Sequence, residues 1–513
     1  DAYSPGHLDQ HLEPFYRRGL AEGTLTRDDA KELLECLWVK FNNHPAPPKV
    51  GVTAAESGTY TDFANINLGG LRRDGTDAVN DVTYLLLEVI DEMHILQPSN
   101  NIQVSKENPD RFLLAAGEVI RKGYGFPSVF NADAVVEQLL RQGKTVEDAR
   151  EGGCSGCVET GAFGKEAYVL TGYFNLAKLL ELALNRGFDP RTNKQIGPRT
   201  PDPATFENMD DVLAAWETQL EHFIEIKLAG NARLEAAYAE HAPAPYLSLL
   251  IDDCIAKGKD YNAGGARYNT SYIQGVGTGT LTDSLAAIEH LVFTTGEVPM
   301  SGLRAALAAD FEHDELLRQT LVNKPPKYGN DDDRADRFMR HCFESFFGAV
   351  DGRPNGRGGT VHINMLPTTC HVYFGSVIGA TPDGRRAGKP LSEGISPVQG
   401  ADRRGPTAVM NSAAKMDHLR TGGTLLNVKF TPQVLEGEKG LATMAGLVRG
   451  YFHQDAHHVQ FNVVTADTLR AAQADPEAHR HLIVRVAGYS DYFCDLSREL
   501  QEEIIARTEH DSV

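Results

Sequence analysis

The chain has 513 residues, 41% of them hydrophobic, which supplies a large core and excludes a disordered or collagen-like protein. Fifty basic against 70 acidic residues leave a net charge of -20, the wrong sign for a general nucleic-acid binder or a partner of anionic membranes. No run of about 18 apolar residues predicts a membrane span, and no signal-peptide pattern opens the sequence.

Taken in chain order, the text begins at Asp1 without an initiator Met, inside dense sequence, as expected of a chain truncated at its N-terminus. Thr26 with Asp29 forms a capping-box pattern ahead of an apolar stripe at Leu33, Leu34, Leu37 and Phe41, predicting a helix. Further helices are expected over Ala78–Glu92, over Asn175–Asn185 with Gly187 as its stop, and as one or two segments between Phe206 and Glu240. Short apolar runs at Tyr246–Ile251, Val361–Met365, Val459–Val464 and Leu482–Val486 predict strands. Strands alternating with helices give an α/β architecture with parallel pairing. Gly and Pro are dense at 352–359 and 379–406, so these stretches are expected to be loops. No repeat or linker interrupts the chain, and one continuous domain is the simplest expectation.

The seven cysteines, at 36, 154, 157, 254, 342, 370 and 494, are too scattered for a disulfide framework and fit a reducing, cytoplasmic setting. Two of them fall in Gly152-Gly153-Cys154-Ser155-Gly156-Cys157-Val158-Glu159-Thr160-Gly161, a run whose glycines permit a tight loop presenting a thiol and a carboxylate. A structural zinc needs a second pair of ligands, and none stands at suitable spacing. The second notable run is Arg485-Val486-Ala487-Gly488-Tyr489-Ser490-Asp491-Tyr492-Phe493. A glycine in an apolar and aromatic setting can lose an α-hydrogen to give a planar radical, delocalised over the flanking amide nitrogen and carbonyl.

Residues 485–493 resemble the signature loop of glycyl radical enzymes, and Gly-Cys-Val-Glu at 156–159 resembles their cysteine loop. The resemblance continues through Ala380-Thr381-Pro382-Asp383-Gly384-Arg385-Arg386-Ala387-Gly388, Ile395-Ser396-Pro397 and Gly405-Pro406-Thr407-Ala408. It implies a ten-stranded α/β barrel surrounded by helices, with both loops at its centre. Residues 1–390 would form the C-terminal portion of the barrel domain and 391–513 a glycine radical domain packed into the same barrel. It implies that Gly488 stores the radical, that Cys157 becomes the thiyl and that Glu159 is the general acid or base. Cys154 lies outside the shared pattern and is expected to be structural. No cofactor or metal is implied in the chain itself; the radical is installed by a separate S-adenosylmethionine enzyme with an iron–sulfur cluster. A homodimer is a further expectation.

Ser155-Gly156 separate Cys154 from Cys157, unlike the adjacent cysteines of the family's acyltransferases. Glu56-Ser57-Gly58-Thr59-Tyr60-Thr61-Asp62-Phe63, Thr171-Gly172-Tyr173-Phe174-Asn175 and Leu366-Pro367-Thr368-Thr369 resemble the hydroxyproline-dehydrating branch. The 331-residue span from Cys157 to Gly488 (488 − 157) suits compact dehydratases better than arylacetate decarboxylases. That resemblance implies a lyase turning trans-4-hydroxy-L-proline into 1-pyrroline-5-carboxylate, with Ser57, Asp62, Phe63, Tyr173 and Thr368 lining the pocket and Asp1 contacting the substrate hydroxyl. The alternatives are another radical lyase on a small hydroxylated or amino substrate, an arylacetate decarboxylase, or an inactive barrel serving as a binding protein. Gly275-Val276-Gly277-Thr278-Gly279 lacks the full dinucleotide fingerprint. His453, His457 and His458 stand at metal-like spacing without a carboxylate cluster and are expected in solvent or core. Gly356-Arg357-Gly358-Gly359 is expected to be a turn.

Overall fold

The computed structural model describes residues 2–44 and 63–513. They divide into two compact units, one of Asp1–Lys165 with Asp417–Val513 and the other of Glu166–Met416, where a single continuous domain was expected. Asp1, Ser57 and Asp62 lie outside the described residues.

The first unit is built on a seven-stranded sheet in the order Ala2–His7, Phe63–Gly69, Ser99–Val104, Ser128–Asn131, His458–Val463, Asn427–Phe430 and Glu509–His510. All neighbours pair in parallel except His458–Val463 with Ser128–Asn131. Because side chains alternate across a pleated sheet, register decides which residues share a face. One face carries Ile66, Leu68, Ile102, Val129, Val428, Val459 and Phe461, all buried. The other carries Asn65, Asn67, Asn101, Gln103, Ser128, Asn427, Gln460 and Asn462, which are buried as well. Leaving such amides unpaired would cost about 1–3 kcal/mol each, so this face must be matched by polar groups. Those groups belong to the two loops described below.

Among the first unit's helices, Arg27–Asn42 has the expected capping box: Thr26 Oγ1 accepts from Asp29 N, and Thr26 N donates to Asp29. Its buried stripe is Ala30, Leu34 and Trp38, whereas Leu33 is 64% exposed. The helix expected from Ala78 is Asp81–Met93, because Asn80 caps the amides of Val82 and Thr83. The expected strands at 459–464 and 482–486 are His458–Val463 and Ile483–Arg485.

The second unit holds a four-stranded sheet in the order Arg353–Pro354, Thr360–Asn364, Tyr268–Val276 and Glu166–Asn175, the last three mutually parallel. Leu176–Leu184 is the expected helix, opened by Asn175 Oδ1 accepting from Lys178 N at 3.0 Å. The stretch from Phe206 onward forms one helix of 33 residues, Met209–His241. Tyr246–Ile251 departs from expectation: Pro245–Leu250 is a helix with Pro at its start. A run of six residues is too short for periodicity to separate strand from helix, and Tyr246, Leu249 and Leu250 are exposed instead of facing a core. Residues 379–405 contain no helix or strand, as expected. Arg357 in the glycine-rich turn is committed within the unit, bonding Ala167 O at 3.0 Å and Thr270 O at 2.6 Å beside Glu235. Among the described residues no helix is long and apolar enough to cross a membrane.

Candidate active site

The cysteine loop is a small hairpin. Gly153–Cys154 pairs antiparallel with Thr160–Gly161, and Ser155 N donates to Glu159 O at 3.0 Å. Cys157 stands at the tip and is half-buried. The polar sheet face holds this hairpin by its backbone. Asn67 accepts from Cys154 N at 3.0 Å and donates to Cys154 O at 2.7 Å, and Asn65 donates to Gly156 O at 2.8 Å. The next strand steadies both amides, with Asn101 donating to Asn65 Oδ1 and Gln103 to Asn67 Oδ1. His7 Nε2 bonds Gly152 O at 2.9 Å, and His457 Nε2 donates to Val158 O at 3.0 Å. Burial lowers His457 to about 3, so its ring is neutral and Nδ1 is free to accept from Gln138. His458 is likewise buried, and His453 caps a helix end in solvent. Among the described residues no group of three or more His, Cys, Asp or Glu could hold a metal.

Within the loop, Glu159 is 1% exposed and its Oε2 accepts from Val158 N at 2.9 Å. A Cβ on Gly156 would sit 2.3 Å from that oxygen, so the glycine is what lets the carboxylate fold back under the loop. Cys154 is fully buried; desolvation, then the nearby Glu159 and Cys157, push its thiol well above the usual range. Its Sγ donates weakly to Gly156 O at 3.4 Å.

The glycine loop is a second hairpin, Ile483–Arg485 against Ser490–Tyr492, closed by Val486 N donating to Tyr489 O at 2.8 Å. Gly488 is the second central residue of that turn, with φ +84, the left-handed region that favours glycine. Val486, Ala487 and Tyr489 are at most 1% exposed. The same polar face anchors this loop. Asn462 donates to Arg485 O and accepts from Arg485 N, both at 2.8 Å, and Asn427 donates to Val486 O at 3.1 Å. Gln460 Oε1 accepts from Gly488 N at 3.2 Å and from Arg485 Nε at 2.7 Å. Arg507, paired in two bonds with Glu503, also donates to Val486 O at 2.9 Å.

The two tips meet. A Cβ built on Gly488 would lie 2.1 Å from Cys157 Cβ, 2.7 Å from its Sγ and 2.9 Å from its Cα. The Gly488 Cα is one C–C bond behind that point, so Sγ stands within roughly 4 Å of it. The α-hydrogen facing Cys157 is the one that an L side chain would replace. Hydrogen can pass between the two residues only over such a distance.

Of the other sequence-predicted residues, Phe63 opens the strand Phe63–Gly69 and is 8% exposed. In the second unit Tyr173 and Thr368 meet, the phenol 2.6 Å from Thr368 Oγ1, with Thr368 at φ +49. Sequence reading missed Asn65, Asn67, Gln460 and Asn462. Their signal was a polar residue at every second position of strands otherwise apolar.

A family model described as pyruvate formate lyase-like matches residues 1–375, and one described as glycine radical matches 391–494. The chain is 58% identical over 509 residues to the trans-4-hydroxy-L-proline dehydratase of Clostridioides difficile, covering 99% of this chain and 64% of that protein. It is 35% identical to the (2S)-3-sulfopropanediol dehydratase of Klebsiella oxytoca, covering 99% of this chain and 62% of the relative. It therefore spans less than two thirds of their length. A crystal structure of the C. difficile hydroxyproline dehydratase with trans-4-hydroxy-L-proline bound superposes with a TM-score of 0.98 over 99% of this chain and 64% of that one. A glycerol-bound glycerol dehydratase from Clostridium butyricum, 40% identical, superposes at 0.95 over 99% of this chain and 64% of its own.

Proposed function

The chain belongs to the pyruvate formate lyase-like family, and on that premise we propose that the whole protein is a glycyl radical dehydratase converting trans-4-hydroxy-L-proline into 1-pyrroline-5-carboxylate and water. The observation that carries the radical chemistry is the contact between the Gly488 α-position and Cys157. The substrate rests on the 58% identity to the C. difficile enzyme.

A radical at Gly488 Cα takes the thiol hydrogen of Cys157, restoring the glycine C–H and leaving a thiyl. The thiyl removes hydrogen from the substrate carbon between the ring nitrogen and the hydroxyl-bearing carbon, becoming a thiol again. The nitrogen lone pair stabilises that carbon radical. Glu159 accepts a proton from the amine, while an acid, Asp1 in this reading, protonates the departing hydroxyl so that it leaves as water. The unpaired electron is then on the carbon that lost oxygen. Cys157 returns its hydrogen there, and the thiyl takes back the hydrogen of Gly488. Atoms balance: the substrate has lost one water and gained a C=N bond.

The reading of Glu159 as the proton carrier is supported by its burial under the loop, where Val158 N holds one oxygen. Ser57, Asp62, Phe63, Tyr173 and Thr368 are assigned to the substrate pocket. A separate S-adenosylmethionine iron–sulfur enzyme would install the radical, and the active protein would be a cytoplasmic homodimer. The test is the activated full-length protein given hydroxyproline without oxygen; pyrroline carboxylate must form, and Cys157→Ala must abolish it.

A further inference from the structure

Arg485 is 2% exposed and belongs to the largest fully buried side chains, yet among the described residues no carboxylate pairs with it. Its Nε donates to Gln460 Oε1 at 2.7 Å, and its Nη groups reach only the hydroxyls of Ser128 and Ser490. Arg507, at the C-terminal end of the helix Arg498–Ala506, has Glu503. A buried cation without an anion is costly, and desolvation lowers Arg485 to about 10, which still leaves it charged at neutral pH. Its position is unusual in one further respect. The same Gln460 oxygen accepts from Gly488 N at 3.2 Å, so charge and radical-bearing residue share one acceptor. The orientation of Gln460 is fixed, since its Nε2 donates to Asn427 Oδ1 while Asn427 Nδ2 donates to Val486 O.

We propose that Arg485, held by Gln460, protects a Gly488 radical from one-electron oxidation, an inference that rests on the assignment of the radical to Gly488. An α-amido radical loses an electron easily, because the nitrogen lone pair stabilises the resulting acyliminium cation. A second positive charge two hydrogen bonds away, buried and paired with no described carboxylate, opposes that cation. The neutral radical and its neutral C–H parent feel no such penalty. Arg485 thus leaves hydrogen exchange with Cys157 open while closing loss of the electron to an acceptor. That none of the described carboxylates pairs with Arg485 suits this role, since a partner anion would cancel the effect.

The experiment uses the full-length protein, activated without oxygen, and follows decay of the glycyl doublet by electron paramagnetic resonance after adding ferricyanide as the one-electron acceptor. Arg485→Gln removes the charge, Gln460→Glu cancels it with an isosteric anion, and Arg485→Lys keeps it. The first two are expected to lose the doublet on the order of tenfold faster than wild type, and Arg485→Lys to decay at nearly the wild-type rate. A charge-removing variant that melts normally but never holds a doublet, while Arg485→Lys does, supports the same conclusion. Equal decay in all variants, or loss of the doublet in all three, overturns it. A wild-type protein without a doublet would instead remove the assignment of Gly488 itself.

Discussion

An L side chain on Gly488 would put its Cβ 2.1 Å from Cβ of Cys157, so position 488 admits a hydrogen atom and nothing larger. Gly488→Ala therefore meets two penalties, the clash and a left-handed φ of +84. Together they should destabilise the protein by about 2–5 kcal/mol. The glycyl doublet should vanish in the activated variant. Air should cleave the activated wild type at 488, releasing the segment beyond it as a separate fragment seen by mass spectrometry. A doublet persisting in the Ala variant would move the radical elsewhere.

Storage and use of the radical should separate genetically. Glu159→Gln keeps an acceptor for Val158 N but removes the carboxylate proposed as the base. Turnover should fall at least about a hundredfold while spin per chain stays at the wild-type level. Loss of the doublet in this variant would show that Glu159 shapes the loop instead of moving protons.

The polar sheet face makes a sharper claim. Asn67→Ala removes the acceptor of the Cys154 amide and leaves its carbonyl only the long 3.5 Å contact from Asn65, costing about 1–3 kcal/mol of stability in urea denaturation. Turnover should drop more than radical content, because the hairpin carrying Cys157 loosens while the glycine loop keeps its own anchors. Parallel losses in both would point to general unfolding.

What the sequence disclosed and what it hid follow one physical division. Gly488 and Cys157 were legible because their chemistry is local: small residues, a tight turn, a thiol near a carboxylate. Their meeting across 331 positions came from resemblance and not from spacing. The amides holding them were hidden because a buried strand is expected to be apolar on both faces. In His458–Val463 the apolar residues mark a strand, while Gln460 and Asn462, both on its other face, carry no such signal. The exposed helix Pro245–Leu250 reads as a strand for the converse reason, apolar residues without a core. Alternation read for polar as well as apolar residues would have found the cradle.

Acid should weaken the first unit through its buried histidines. His7 is lowered to about 4 and His457 to about 3 by desolvation, and His458 well below its usual value. The unfolded chain binds these protons from about pH 6.5 downward and the folded one does not, so stability rises with pH across that window and levels off above it. Asp9 and Asp491, raised to about 6 by burial, act oppositely: their stability is present in acid and lost as pH climbs through 6. Comparing a variant with wild type cancels the carboxylates. His457→Gln should lose less stability between pH 7 and pH 5, by up to about 2 kcal/mol in urea denaturation. An identical pH dependence in the two proteins would place the protonation elsewhere.

The last prediction concerns the substrate. Hydroxyproline presents a carboxylate, a ring amine and a hydroxyl, and a pocket for it needs donors and acceptors beside an aromatic wall. The Tyr173 phenol and Thr368 hydroxyl, 2.6 Å apart, can supply such a pair. Tyr173→Phe and Thr368→Val should each raise KM by a factor corresponding to about 1–3 kcal/mol if a buried polar group of the substrate is left unpaired. Because the two hydroxyls bond each other, the double variant should cost less than the sum, by about 1 kcal/mol. Ser57→Ala is expected to act on KM in the same way, with little change in kcat. The selectivity assay offers hydroxyproline, proline, choline, glycerol and 4-hydroxyphenylacetate to the activated full-length enzyme. Proline lacks a leaving hydroxyl and should be inert, which separates dehydration from simple hydrogen exchange. Glycerol is the pointed control, because a glycerol dehydratase superposes at a TM-score of 0.95. Pyrroline carboxylate from hydroxyproline alone is the expected result. Turnover of glycerol in its place would keep the radical assignment and change the substrate, and carbon dioxide from the arylacetate would change the reaction class as well.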